Sequence, residues 1–384
     1  MRISKRSIAA ATLLSVFFVA TAGADLAPEK VGTTTLPAEP SPHWVWFNDI
    51  AFFNMVSGRT YLIDADAGRV LGMLSTGVMF AKLDLPKDYN EIYSPETYYS
   101  RGARGERTDL VSIYDSRTLE VKGEIIIPPK RHSGVPVPAY SGLTDDDRFL
   151  IIYNMTPAQS VSVVDVKERK FIEEISTPGC ALVYPAGERR FNMLCGDGSI
   201  LTVTIDDGGS LVSKELSESF FDPQNDPVTE KAARYGDTWL YASFDGVVHP
   251  VDVSGDKPSF LPKWSLLNDA DRAESWLPGG TEHLVVHQDK GLLYSAMHQG
   301  GVDTHKDPGS EVWVYDLATK KRIKRFTMKA PALSLAVTKD DDPLLLTVVG
   351  DESSLQVYDA DTGEHLRTVA DIVYGGTPLL LQTP

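Results

Sequence analysis

Seven times the chain returns to one pattern: an alternating apolar run that ends in aspartate, then a turn, then a second short strand. The copies are TYLIDADAGRVLGML around Asp64, VSIYDSRTLEVKGEI around Asp115, VSVVDVKERKFIEEI around Asp165 and a degenerate LTVTIDDGGSLVSKEL around Asp206. VVHPVDVSGDKPSFL around Asp252, VWVYDLATKKRIKRF around Asp316 and LQVYDADTGEHLRTV around Asp359 complete the set. Successive aspartates lie mostly 41 to 51 residues apart, with one step of 64 between Asp252 and Asp316. Period-2 alternation inside a repeat of this length is the signature of a propeller blade. Each copy reads as a hairpin whose alternating residues pack one face against the neighbouring blade. The aspartate accepts backbone hydrogen bonds in the turn, and the second strand is the solvated outer edge. A further element, as in LTDDDRFLIIYN, HQDKGLLYSAM and VTKDDDPLLLTVV, is a polar turn feeding a hydrophobic strand. Together these supply roughly four strands per blade. The expected fold class is all-β, a seven-bladed β-propeller over residues 43–384.

A chain of 384 residues is long for one core, and a repeat architecture resolves this because each unit carries its own. The N-terminus stands apart. Arg2, Lys5 and Arg6 precede the apolar run from Ile8 to Val19, and Ala20-Thr21-Ala22 or Ala22-Gly23-Ala24 fits a cleavage site. Residues 1–24 therefore read as a signal peptide, with a single anchor helix as the alternative. The expected location is the periplasm. Residues 25–42, rich in Pro, Thr and Glu, read as an extended N-terminal arm. No other segment approaches the ~20 apolar residues of a membrane helix. The net charge of −16 becomes −19 once the three leader cations are removed, which argues against a nucleic-acid partner.

Two cysteines are present, Cys180 and Cys195, each closing a strand-like run in PGCALVYPAGERRFNMLCGDG. A turn at Pro185-Ala186-Gly187-Glu188 lies between, so the two belong on neighbouring antiparallel strands. In an oxidising compartment such a pair is most simply a disulfide, stabilising by ~3 kcal/mol on the chain-entropy estimate. A redox-active pair would want C-x-x-C spacing. The one good helix signal is SLLNDADRAESWLPGG, 265–280, capped by Asn268 or Asp269 and stopped before Pro278-Gly279-Gly280. It falls in the long step between blades five and six and reads as a surface insertion.

Catalytic signatures such as His-Glu-x-x-His, Gly-x-Ser-x-Gly and phosphate loops are missing. His283 and His287, four apart on the expected strand HLVVH, lack a third ligand for zinc. His298 and His305 bracket a Gly-rich loop. The aspartate runs 145–147 and 340–342 lack the order of a calcium loop and read as turns. The residues thus nominate no catalytic group and no metal. Trp44, Trp46, Phe47, Phe52 and Phe53 are dense near the first strand; they form either an ordinary ring-closing strand or a partner-facing patch.

Several long segments together resemble one family: ARGERTDLVSIYD (103–115), PAQSVSVVDV (157–166), GC…CGDGSI (179–200), WSLLNDADRAESWLPGG (264–280), THKDPGSEVWVYD (304–316) and LQVYDADTGEHLRTV (355–369). The chain resembles the heavy (α) subunits of methylamine and aromatic amine dehydrogenases across nearly the whole mature length. IPPKR (127–131), CGDGSILTV and THKDPGSEVWVYD look closer to the aromatic branch, whereas IDADAGRVLGM and ARGERTD are similar to the methylamine branch; aromatic or arylalkyl amines are slightly favoured. The resemblance implies a seven-bladed propeller in an α2β2 heterotetramer. It implies a light (β) chain that carries tryptophan tryptophylquinone and the catalytic base, with no cofactor on this chain. The reaction would be oxidative deamination of a primary amine to aldehyde and ammonia, with electrons passing to a blue copper protein, azurin or amicyanin. The family's channel-gating phenylalanine falls before SGRTYLID, matching Phe52, or Phe53 one register away; a plain core residue is the alternative. The family's heavy-chain disulfide falls at Cys180 and Cys195. Two other hypotheses stand beside this one: a non-enzymatic periplasmic binding or scaffold propeller, and a propeller hydrolase with a channel metal.

Overall fold

Twenty-nine strands, one five-residue helix and two short 3-10 turns make up the described residues. The computed structural model describes residues 34–78, 82–132, 134, 136–350, 352–373 and 376–384. The expected signal peptide, 1–24, and the arm as far as residue 33 lie outside them. The strands pair into seven antiparallel sheets, the seven blades of a β-propeller.

In the first blade, Trp44–Asp49, Gly58–Asp64 and Arg69–Gly77 run from the inside outward. Its inner edge is Pro378–Gln382, the last strand, paired antiparallel with Trp44–Asp49 so that Trp46 faces Gln382 and Phe47 faces Leu381. The ring is thus stitched shut by backbone hydrogen bonds between residues over three hundred positions apart. The second blade, Glu91–Tyr99, Arg107–Asp115 and Val121–Ile127, has among the described residues the single bridge Asp84–Tyr93 on its inner edge. Four strands each build the third blade (Ser141–Leu143, Phe149–Asn154, Ser160–Asp165, Lys170–Ser176) and the fourth (Cys180–Pro185, Arg190–Cys195, Ile200–Ile205, Leu211–Leu216). The fifth comprises Ala233–Tyr235, Thr238–Ala242, Val247–Asp252 and Ser259–Phe260, with Trp264–Ser265 also on Val247–Asp252. In the sixth, Trp276–Pro278 and Leu284–His287 both pair with Leu292–Gln299, followed by Gly309–Asp316 and Lys321–Ala332. The seventh is Ser334–Val337, Leu344–Val349, Ser354–Asp359 and His365–Val369.

The alternation seen in the sequence has a different physical meaning from the one-faced packing expected. Central strands are buried on both faces, and Trp44–Asp49 is buried at every position. Alternate residues point to different neighbours. Trp44, Trp46 and Leu62 pack against Ile92 and Tyr114 of the second blade. Val45, Phe47, Tyr61 and Ile63 pack against Leu346, Val348 and Val357 of the seventh. Seven such clusters, one between each successive pair of blades, constitute the core. Only the outer strands alternate between core and water, as in Lys321–Ala332, which blunts the sheet edge with charge.

Each repeat aspartate ends or immediately follows the third strand of its blade, and in every case its Oδ1 accepts backbone N–H groups of the following turn. Because the strands are antiparallel, all seven of these turns emerge on one face of the propeller. The loops between second and third strands emerge on the other, together with the entries to the inner strands. The helix Asp269–Ala273 carries the expected cap: Asn268 Oδ1 accepts from Asp271 N and Asp271 Oδ2 accepts from Asn268 N, both at 2.9 Å. The segment around it is less superficial than an insertion. Asp271 and Trp276 are buried, and Trp276–Pro278 is an inner strand of the sixth blade.

Candidate functional site

Between Trp44–Asp49 and Gly58–Asp64 the chain makes a 3-10 turn, Phe52–Asn54, entered through Ala51 in the left-handed region at φ 48°. Asp49, itself buried, holds this corner. Its Oδ1 accepts from Ala51 N at 2.8 Å and from Thr377 N at 2.6 Å. Phe52 N donates to Thr377 Oγ1 at 3.2 Å, and Asn54 N to Ala51 O at 2.6 Å. One carboxylate therefore ties the loop to the segment that leads into the last strand. The loop presents two rings in edge-to-face contact, with centroids 5.7 Å apart. Phe52 is 50% exposed and Phe53 86%. The dense aromatics of the N-terminal region thus divide: Trp44, Trp46 and Phe47 are core, whereas Phe52 and Phe53 are not.

Most other exposed apolar side chains sort by position, Tyr235 at a turn on the aspartate face being an exception. One group sits on the outer strands, such as Val121, Val212 and Ile323. The second group lies on the Phe52 face: Met55 and Val56 beside the pair, Tyr98 near the second-blade loop, Met155 on the third-blade loop, and Val302, 92% exposed, on the sixth-blade loop. The face with the aspartate turns instead bears ion pairs, among them Arg189 with Asp146 and Lys290 with Asp361. It also opens into a central cavity of about 660 Å³ lined by inner-strand residues of several blades.

A family model for the methylamine dehydrogenase heavy chain (MADH) matches residues 42–383. The chain belongs to this family. It is accordingly a subunit of an amine dehydrogenase, an oxidoreductase. Relatives include the methylamine dehydrogenase heavy chain of Methylorubrum extorquens, 29% identical over 99% of this chain and 93% of that one. The heavy chain of Methylophilus methylotrophus is 28% identical over 90% and 84% respectively. Among solved structures, a functionally unknown protein from Desulfotomaculum acetoxidans superposes with a TM-score of 0.59 at 14% identity, covering 89% of this chain and 99% of that one. Apo AztD from Citrobacter koseri gives 0.52 at 13% identity, covering 88% and 96%. These two likenesses are of fold alone.

In this heavy chain the segments that carried the resemblance are largely packing devices. Arg107 and Asp109 of ARGERTD form a two-pronged pair at 2.8 Å, and Asp109 Oδ2 also accepts from Arg131 N of IPPKR at 2.9 Å. The Arg131 guanidinium donates to Thr97 Oγ1 and Val78 O; burial pulls its pKa down to about 10. Two motifs over twenty residues apart thereby lock the second blade to the third. Likewise WSLLNDADRAESWLPGG meets SEVWVYD where Trp276 and Trp313 touch, 5.2 Å between centroids. Arg322 lies over Trp313 and Arg325 over both rings, so this tryptophan pair is closed in by packing.

Cys180 and Cys195 are directly paired across the inner two strands of the fourth blade and form a disulfide. His283 precedes the strand Leu284–His287 and is fully buried, and among the described residues neither of its ring nitrogens has a hydrogen-bond partner; burial drives its pKa well below the usual value. His287 instead bonds Asp340 O at 2.9 Å. His298 bonds Thr304 Oγ1 at 2.8 Å and His305 stacks on Phe244 at 3.9 Å, so the Gly-rich loop they bracket is anchored on both sides. Glu282, next to His283, has its carboxyl pushed up to about 8 by burial, against the pull of Lys82. Among the described residues no group of three or more His, Cys, Asp or Glu side chains is placed to hold a metal ion. Sequence reasoning missed the central cavity. Its wall comes from short segments of many blades, and no local pattern marks them.

Proposed function

We propose that this chain is the scaffolding subunit of a periplasmic amine dehydrogenase, with a small light chain seated on the Phe52 face and Phe52 narrowing the substrate channel. One observation carries the reading: an exposed phenylalanine pair held rigidly by Asp49, in a chain of the methylamine dehydrogenase heavy-chain family. Two phenylalanines held out toward water bring a lone soluble chain nothing. A partner interface uses rigid aromatic anchors of this kind. The lesser apolar residues on the same face supply the surrounding contact area.

The proposed reaction converts a primary amine and water to an aldehyde and ammonia, releasing two electrons and two protons. Tryptophan tryptophylquinone on the light chain supplies the oxidant, and a blue copper protein, azurin or amicyanin, takes the electrons. This chain's part is to exclude water and to select by size, which a large aromatic at a channel mouth does. The assembly is proposed as α2β2. Arylalkyl amines are slightly favoured over methylamine, on IPPKR, CGDGSILTV and THKDPGSEVWVYD. The test is native purification followed by mass spectrometry and a visible spectrum. A co-purifying small chain, with a quinone band that bleaches on adding a primary amine, is the expected result. A lone, colourless chain would overturn the reading in favour of a binding propeller.

A further inference from the structure

We infer that the central cavity, on the face opposite Phe52, is a binding site for a small organic cation held by the Glu230 carboxylate. The cavity holds about 660 Å³, within the usual range of small-molecule sites. Leu83, Pro138, Val183 and Trp239 give it an apolar wall. Trp239 is fixed by its Nε1–H to Pro185 O at 2.9 Å and by edge contact with Tyr184.

Among the described residues eight charged side chains line this space, and seven are already engaged. Lys82 pairs with Asp84, which also accepts from Ser141 Oγ, each at 2.5 Å. Arg234 grips Asp145 with both Nη groups at 2.5 and 2.8 Å. Lys87 donates its Nζ to Asp145 O and its backbone N–H to Asp147 Oδ2. Lys339 donates to Pro384 O at 2.7 Å. Glu230, half-buried, is the exception: among the described residues its carboxylate has no hydrogen bond or ion pair. The cavity therefore offers an unbonded carboxylate while every cation lining it already holds an acceptor; Lys231, whose charge also acts on Glu230, donates its Nζ to Gly280 O at 2.8 Å. An anionic ligand would meet Glu230 and find no free donor, whereas an ammonium or quaternary nitrogen would find a partner and an apolar wall for its body.

Glu230 and the wall belong to this chain alone, so the inference does not rest on the reading of Phe52. The probe is benzyltrimethylammonium, which has no N–H and cannot form an imine with a quinone carbonyl. It is titrated into the native complex by calorimetry and by tryptophan fluorescence, with phenylacetate as the anionic control. The expected result is one saturable site per heavy chain, no binding of phenylacetate, and affinity at least about ten-fold weaker in Glu230→Gln. An unchanged denaturation midpoint for Glu230→Gln shows that the variant folds. Absence of saturable binding, or equal binding by Glu230→Gln, would overturn the inference. So would binding that shifts the quinone absorption and ignores the substitution, because that cation sits on the light chain.

Discussion

Replacing Phe52 by alanine separates the two roles a phenylalanine can have in this loop. About half of the side chain is already in water in this chain. The loop's anchors are the Asp49 carboxylate and backbone groups, which the substitution leaves in place. Thermal and denaturant stability of the isolated heavy chain should therefore fall by less than about 1 kcal/mol. The exposed half amounts to roughly 100 Å² of apolar surface, from about 200 Å² for a whole phenylalanine. At about 25 cal/mol per Å² its loss from the proposed channel mouth is worth up to about 2.5 kcal/mol, or about sixty-fold. The assay is kcat/KM of the complex for methylamine, butylamine, benzylamine and phenethylamine. The ratio between bulky and small amines should shift by roughly ten- to sixty-fold, with Phe53→Ala run in parallel to decide which ring, if either, narrows the proposed channel. If both variants keep the native size profile, neither ring lines the channel. If Phe52→Ala unfolds the isolated chain, the residue is part of the core and the reasoning fails at its first step.

Breaking Cys180–Cys195, which closes a separation of 15 residues, should cost about 3 kcal/mol in denaturant unfolding and leave the amine profile unchanged. Lys320, exposed with φ 57° at the fourth position after Asp316, is strained for a side chain; Lys320→Gly should raise the unfolding free energy, measured by urea titration, by up to about 1 kcal/mol. At the equivalent place after Asp359, an alanine in place of Gly363 would put a Cβ within 3 Å of the Phe326 ring, and should destabilise by roughly 2 kcal/mol. His43 joins the turn at Asp66 (2.7 Å) to Asp340 of the seventh blade (3.1 Å). Burial works against its protonation, but hydrogen bonds and charge from both aspartates outweigh that and hold its pKa above 6.5. A raised folded-state pKa means that the stabilisation is complete below the unfolded value and is lost as pH rises through the folded one. The stability gap between native protein and His43→Gln should thus be wider at about pH 5.5 than at about pH 8, measured by urea unfolding at each; a gap that widens with pH would refute the pairing.

Local chemistry was readable from the residues alone. The seven aspartate turns, the blade count, the Asn268 cap and the disulfide each depend on groups a few positions apart or on one hairpin. The strand period and turn preferences that govern them act over that same range. Tertiary structure decided what adjacency cannot express. Alternation marks two buried faces here, because each blade is clasped by a neighbour on either side, and a strand buried twice has the same period as one buried once. Phe47 is core and Phe52 is not, although five residues and no change of residue type separate them; the difference is the left-handed turn at Ala51 and the hold of Asp49 on Thr377, a partner 328 positions away. The cavity with its lone Glu230 exists only once inner strands from around the ring converge on one axis. Those strands share no local signal, since what places them there is the closing of the ring by Pro378–Gln382 on Trp44–Asp49.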